Sequence, residues 1–281
     1  MHHFQIQLTE ATDSLVHIHL RLAGKEMPTG ATFNGTLTGP RCRYARTLPA
    51  VFPVRDVNGT AEVLVTEPCY WTADLPFLYH LRIEVRNGGK IIESIKQTVG
   101  LRRLSVRGSS LFVEGKRFVF RAARLPSGKR IDWQAWRNAR LAMYVVDPDE
   151  ELCQSANEQG IWIVAEMSGG SLPKHVMNCP AVAIVVVTPA ELASAERLSG
   201  GALIGARTTD DGFVPKAPNP NLLVHEVQDI AVSKRELAGC PRPVVVIRSH
   251  ESFTSLAAAR AACEQLQRDL APELNLAGYI V

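Results

Sequence analysis

The sequence predicts a β-sandwich followed by a compact, reduced (β/α)8 TIM barrel. Three observations lead there. Through the first hundred residues apolar side chains recur at every second position. From about residue 118 the apolar segments become continuous and alternate with helix-like stretches. The continuous segments number eight. Period two with one wet face marks an antiparallel sheet, and unbroken apolar strands mark a parallel sheet covered on both sides.

In the first region Val16, Ile18, Leu20 and Leu22 alternate with His17, His19 and Arg21. Leu81, Ile83 and Val85 alternate with Arg82, Glu84 and Arg86, and Asn87-Gly88-Gly89 turns the chain into Ile91-Ile92, which predicts a hairpin. Short strands parted by Gly/Pro turns predict the sandwich. His17 and His19 share one strand face; they have the chemistry of metal ligands, but a solvated face is the expectation and no metal is assigned.

In the second region the strands are Phe118–Ala123, Leu141–Val146, Ile161–Glu166, Ala181–Val187, Ala202–Ala206, Leu222–Val227, Pro243–Arg248 and Leu276–Val281. Helices are expected at Ile131–Ala139, Pro148–Gln159, Pro189–Leu198, Ser233–Ala238 and Ser252–Leu270. Eight strands with crossovers imply the barrel. The region holds about 165 residues, below the roughly 200 usual for that fold, so its outer layer must be thin. The expected division is 1–106 for the sandwich and 107–281 for the barrel.

Composition narrows the function. The net charge of +3 is too small to imply nucleic acid. Basic residues do cluster from Arg102 to Arg137, but no aromatic residues are interleaved in a way that suggests base stacking, so they read as solvated faces. No apolar run is long enough to cross a bilayer, so no membrane partner is expected. The N-terminal MHHFQIQLTEATDSLV lacks the basic start and apolar core of a signal peptide, which points to the cytoplasm. Asn34-Gly35-Thr36 and Asn58-Gly59-Thr60 are formal glycosylation sequons that carry little weight without a secretory route. Of Cys42, Cys69, Cys153, Cys179, Cys240 and Cys263, none forms a C-x-x-C pair, so zinc is not indicated and buried thiols are expected. A Cys42–Cys69 disulfide is open. No cofactor is implied.

A set of ordered motifs carries a resemblance. Cys69-Tyr70-Trp71-Thr72-Ala73-Asp74-Leu75-Pro76-Phe77-Leu78-Tyr79 is similar to an LWSPDxPxLY stretch, and Val99-Gly100-Leu101-Arg102-Arg103 to an xGFRx strand. Leu111 to Arg121 (LFVEGKRFVFR) is similar to an FxLNGKPxxLRG entry into a barrel. Asp149 to Glu166, NCPAVAIVVV from Asn178, Arg242 to Arg248, and Ala277 to Val281 follow in order. Together they resemble glycoside hydrolase family 2, the β-galactosidase and β-glucuronidase family, over roughly residues 68–281. The resemblance implies an immunoglobulin-like sandwich, then a TIM barrel. The jelly roll that usually comes before the sandwich is not in this chain.

That family's chemistry needs two carboxylates across the glycosidic bond, about 5 Å apart for retention, at the C-terminal ends of barrel strands. On the seventh strand the resemblance puts Arg248 where the nucleophilic Glu belongs. A guanidinium stays protonated and cannot attack. His250 and Glu251 follow, and Glu251 substitutes only if its loop folds back. On the fourth strand the Asn-Glu pair falls on Pro189-Ala190, and Glu191 misses by one. Thr188-Pro189-Ala190-Glu191 also reads as a capping box with Pro at the first helical position. The cap accounts for every residue of the motif, the acid for one.

Glu166 survives in a family-matched polar position and equally suits a strand-end carboxylate paired with an Arg. The weak catalytic candidates are Glu166, Glu191 and Glu251. The residues expected at the barrel mouth for binding are Glu166, Arg207, Glu226, Arg248 and His250, with His225-Glu226 a further polar pair. The reading that follows is a degenerate family 2 relative without glycosidase activity, binding a carbohydrate or a protein. Two alternatives stand beside it: a working hydrolase with displaced carboxylates, and a structural part of a larger assembly or homo-oligomer.

Overall fold

The computed structural model describes residues 3–23, 29–126, 128, 130–169, 172–192, 201–209, 220–248 and 253–281. The chain divides into two compact units, 1–103 with 178–180, and 104–177 with 181–281.

The first unit is one antiparallel sheet of β1 (His3–Ala11), β2 (Leu15–Ala23), β3 (Thr32–Arg41), β4 (Ala50–Val57), β5 (Thr60–Thr66), β6 (Leu78–Asn87) and β7 (Lys90–Val99), in the order β1-β2-β5-β4-β3-β6-β7. Split between β4 and β3, this is the ABED and CFG strand order of an immunoglobulin-like sandwich, with ladder bonds continuing across the corner. The sheet curls so that its inner face closes on itself. Phe4 of β1 meets Phe33 of β3 edge-on, ring centroids 5.9 Å apart, although the two strands are not neighbours. Val16, Ile18, Leu20, Leu81, Ile83 and Val85, inward members of the alternation that predicts the strands, pack in the same core with Val63 and Val65 of β5.

Local chemistry sets the turns. Gly88 and Gly89 both take positive φ between β6 and β7, as a two-residue primed turn requires. Asn58 and Gly59 do the same between β4 and β5. Tyr79, near the start of β6, is buried and accepts from the Cys69 amide at 2.9 Å through its hydroxyl, a tyrosine corner. Burial pushes the Tyr79 phenol up to about 12. Gln97 of β7 spans to the opposite edge strand: its side-chain oxygen accepts from Phe4 N–H and its amide donates to Phe4 C=O.

The second unit opens with a small sheet, β8 (Leu104–Arg107), β9 (Ser110–Val113) and β10 (Lys116–Phe118). A closed parallel barrel follows: β11 (Phe120–Arg124), β12 (Ala142–Val146), β13 (Ile163–Glu166), β14 (Val182–Val187), β15 (Leu203–Thr209), β16 (Leu222–Glu226), β17 (Val244–Ile247) and β18 (Gly278–Ile280), with β18 pairing back to β11. All eight expected strands are present in order. Phe118 belongs to β10 rather than to the first barrel strand, because it pairs with Leu111 of β9.

Among the described residues the helices are α1 (Trp133–Ala139), α2 (Glu150–Gln159), α3 (Lys174–Met177), α4 (Ile230–Leu237) and α5 (Leu256–Leu270). Most expected starts shift to the nearest capping side chain. Asp132, Asp149, Asp229 and Ser255 each accept from an amide of the first turn. Thus α1 and α2 begin two residues later than their periodicity suggests, and α4 begins three residues earlier, at Ile230. α3 is too short for a periodic signal. Of the expected helix Pro189–Leu198, residues 189–191 form a turn and Leu192 is helical, while 193–200 lie outside the described residues.

One expectation needs correction. Arg102 does not lie on a solvated face: its guanidinium donates to the Pro180 carbonyl at 2.6 Å, and burial lowers its pKa to about 10. The six cysteines are free thiols, as expected, with Cys153, Cys179 and Cys263 buried and Cys42, Cys69 and Cys240 half-buried. Among the described residues no helix is long and apolar enough to cross a membrane.

Candidate functional site

The polar residues of the barrel gather at the C-terminal ends of its strands, the end where barrel sites are built. Glu166 is the last residue of β13 and Glu226 the last of β16. Arg207 lies two residues before the end of β15, since Thr209 is the register partner of Glu226. Tyr144 likewise lies two residues below Val146, the register partner of Glu166. Side chains on alternate strand residues share a face. A long Arg and a long Tyr therefore rise from the layer below and reach the two terminal carboxylates.

Arg207 Nη1 donates to Glu166 Oε1 at 2.7 Å and to the Tyr144 hydroxyl at 2.8 Å, while Nη2 donates to Glu226 Oε2 at 2.8 Å. The Tyr144 hydroxyl donates to Glu166 Oε2. The Arg124 guanidinium covers the Tyr144 ring at 5.1 Å. The side chains of Arg207, Glu166 and Glu226 keep 19%, 26% and 16% exposure, so the cluster is half-sunk and reachable from solvent. Burial, then the hydrogen bond to Glu166 and its negative charge, push the Tyr144 phenol well above its ordinary range. Burial works against the charged form of Arg207, yet the hydrogen bond to Glu226 and the charges around it raise its pKa overall.

The remaining expected site residues divide as follows. Arg248 directly follows β17, its amide donating to Ile280 C=O at 3.0 Å, and its side chain is half-buried. His250 and Glu251 lie outside the described residues. Glu191 is engaged locally: its carboxylate accepts from the Thr188 amide at 3.1 Å and from the Thr188 hydroxyl at 2.8 Å. The capping box is thus half as expected. The Thr188 hydroxyl turns to the carboxylate, and the Glu191 amide bonds the Thr188 carbonyl instead. His225 and Glu226, as successive strand residues, face opposite ways, and the buried His225 meets Thr208 Oγ1 through Nδ1 at 3.2 Å.

Sequence reasoning missed Tyr144, which the alternation along β12 places on the same strand face as Val146. It also missed a second rim cluster. Asp147, in the left-handed region just past β12, accepts from both the amide and the hydroxyl of Ser168 after β13. His175 Nε2 lies 2.7 Å from Pro148 C=O beside it. Among the described residues, only one group of His, Cys, Asp and Glu converges at metal-ligand spacing, and it is not at the mouth: His17, His19 and Glu62 in the first unit.

Comparison with known proteins places these features. Residues 38–102 match the model of glycosyl hydrolases family 2. A β-galactosidase of Kluyveromyces lactis is 34% identical over 61 residues, 21% of this chain and 6% of that protein. Among solved structures, the β-glucuronidase of Ruminococcus gnavus in complex with D-glucuronic acid aligns over 99% of this chain and 60% of its own, with a TM-score of 0.71 and 12% identity. The β-D-glucuronidase of Dictyoglomus thermophilum aligns over 99% and 61%, with a TM-score of 0.65 and 15% identity. The chain therefore spans about three fifths of those structures and a small part of the β-galactosidase.

Proposed function

We propose that this chain, which is related to glycosyl hydrolases family 2, is a non-catalytic relative whose barrel mouth binds a carbohydrate or a protein partner. The observation that carries the reading is the single guanidinium of Arg207 joined to both mouth carboxylates, Glu166 and Glu226. Retaining hydrolysis asks one carboxylate to attack the sugar and another to deliver a proton. Here each is tied to the same cation. Where the resemblance puts the family's nucleophile there is Arg248, and the carboxylate nearest the acid position, Glu191, is held by Thr188.

The same groups suit binding. Fixed, half-exposed hydrogen-bonding side chains at the mouth of a barrel can hold sugar hydroxyls without further reorganisation. Arg124 and Arg248 add positive charge near that rim, which favours a carboxylate-bearing sugar. D-glucuronic acid, the ligand named for one structural relative, is a direct probe.

A second reading, a hydrolase with displaced carboxylates, has one observation in its favour: Glu166 and Glu226 both end barrel strands and both keep solvent exposure. Incubation with aryl β-D-glucuronides and β-D-galactosides separates the two. The expected result is no turnover above an E166Q/E226Q control, with glycan-array or calorimetric binding weakened in that variant. Turnover that disappears on E166Q or E226Q overturns the proposal in favour of the hydrolase.

A further inference from the structure

The solvent face of the first unit carries a group of side chains that the barrel chemistry does not use. His17 and His19 stand two apart on β2, and Glu62 of β5 is the register partner of His19. Strand alternation points all three outward on one face. His17 Nε2 lies 3.0 Å from Glu62 Oε2, and His19 Nδ1 lies 3.3 Å from Glu62 Oε1. The two rings tilt at 44° with centroids 4.6 Å apart. Different nitrogens are used, Nε2 on one ring and Nδ1 on the other, which lets neighbouring rings converge on one point. One ligand atom from each residue falls within 4.8 Å of the others.

The two nitrogen–oxygen separations are also compatible with a metal coordination shell that draws the three residues together. A tetrahedral zinc ion with bonds of ~2.0–2.1 Å holds its ligand atoms ~3.3 Å apart. Two imidazoles and a carboxylate form the borderline donor set that selects a zinc-class ion over magnesium or calcium, which take oxygen ligands. Glu62 keeps 17% exposure, and the histidines keep 33% and 31%. The carboxylate and both imidazoles are thus half-buried and still reachable from solvent. Glu10 of β1, the register partner of His17, is a further exposed carboxylate.

We infer that His17, His19 and Glu62 form a three-ligand site for a divalent zinc-class ion on the outer face of the sandwich. The site ties β2 to β5 at the His19–Glu62 register position.

The test is calorimetric titration of zinc(II) alone into the metal-stripped full chain. The wild type is compared with the H17Q, H19Q and E62Q variants, and cobalt(II) uptake is followed by absorption. The wild type should take up one ion per chain at this site. Each variant should bind it at least about 10-fold more weakly, since even changes outside the ligand shell cost that much. Cobalt should show d–d bands without thiolate charge transfer, because the site contains no cysteine. Zinc should also protect His17 and His19 of the wild type from diethylpyrocarbonate, a readout that does not depend on how well a variant folds. Unchanged affinity in H17Q and H19Q, thiolate charge transfer on the bound ion, or absence of histidine protection overturns the site.

Discussion

Arg207 and Glu166 are joined by a 2.7 Å hydrogen bond across an intervening strand: they belong to β15 and β13, and β14 runs between them. The other arm of the guanidinium reaches Glu226 on adjacent β16. One side chain therefore ties together the C-terminal ends of strands spanning half of the barrel. A fork of fixed geometry suits this task, where a point-charge ammonium does not.

Arg207→Ala should leave two half-sunk carboxylates without their shared cation. Breaking a fully buried pair costs about 3–5 kcal/mol; with solvent still reaching these groups, the loss should be about 2 kcal/mol. Arg207→Lys should fall between alanine and wild type, because one ammonium cannot keep both bonds. Urea unfolding followed by tryptophan fluorescence measures both, since Trp133, Trp136 and Trp162 lie in the barrel unit. Equal stability of all three proteins would show that the bridge is energetically idle.

Tyr79→Phe tests the corner of the sandwich. Below pH 10 it should cost about 1 kcal/mol, the usual worth of such a hydrogen bond. At alkaline pH the sign reverses. The folded-state pKa is raised from 10.0 to about 12, so the folded protein holds its proton while the unfolded chain loses it. The contribution is present below pH 10 and is lost as pH rises from 10 to about 12, by up to about 3 kcal/mol. Stability curves of wild type and Tyr79→Phe should cross in that window; parallel curves would contradict the linkage.

The sequence displays the parts of this fold that rest on local pattern. AVAIVVV from Ala181 reads as a strand buried on both sides, and Val182–Val187 is buried throughout. Asn87-Gly88-Gly89 reads as a hairpin because positive φ at two successive residues asks for that composition. Helix starts were less legible, since periodicity marks a helix face while Asp132, Asp149 and Asp229 decide where it begins. The pairing of Glu166 with an Arg is legible, and so is its place at the mouth with Arg207 and Glu226; the part played by Tyr144, and the reach of one guanidinium to both carboxylates, are not. Both depend on side-chain reach within the closed rim, which strand ends alone do not specify.

Gln97 occupies the place of a peptide unit between the two edge strands of the sandwich, accepting from Phe4 N–H at 3.2 Å and donating to Phe4 C=O at 3.1 Å. Gln97→Glu keeps the acceptor and removes the donor, setting a carboxylate against a carbonyl oxygen. It should cost about 1–2 kcal/mol and speed hydrogen exchange at the Phe4 amide. Gln97→Asn, whose amide is one methylene short, should behave the same way. Unchanged exchange at Phe4 in both variants would mean that the Gln97 bridge adds nothing to the protection of the β1 edge.

Glu191 separates a cap from a catalyst. Its carboxylate takes both the amide and the hydroxyl of Thr188, so Glu191→Ala leaves the Thr188 amide without that acceptor. The expected cost is about 0.5–1 kcal/mol, in the range of a lost helix cap. Glu191→Gln keeps an acceptor oxygen and should recover most of it, whereas a proton-donating role would be abolished equally by both changes. Thr188→Val removes the hydroxyl bond and keeps the amide bond, so its loss should be the smaller. Denaturation midpoints ordered wild type, Glu191→Gln, Glu191→Ala, with sugar binding at the mouth unchanged across the series, place Glu191 in the architecture of β14's exit. A loss of mouth binding in Glu191→Gln at full stability would return it to the site.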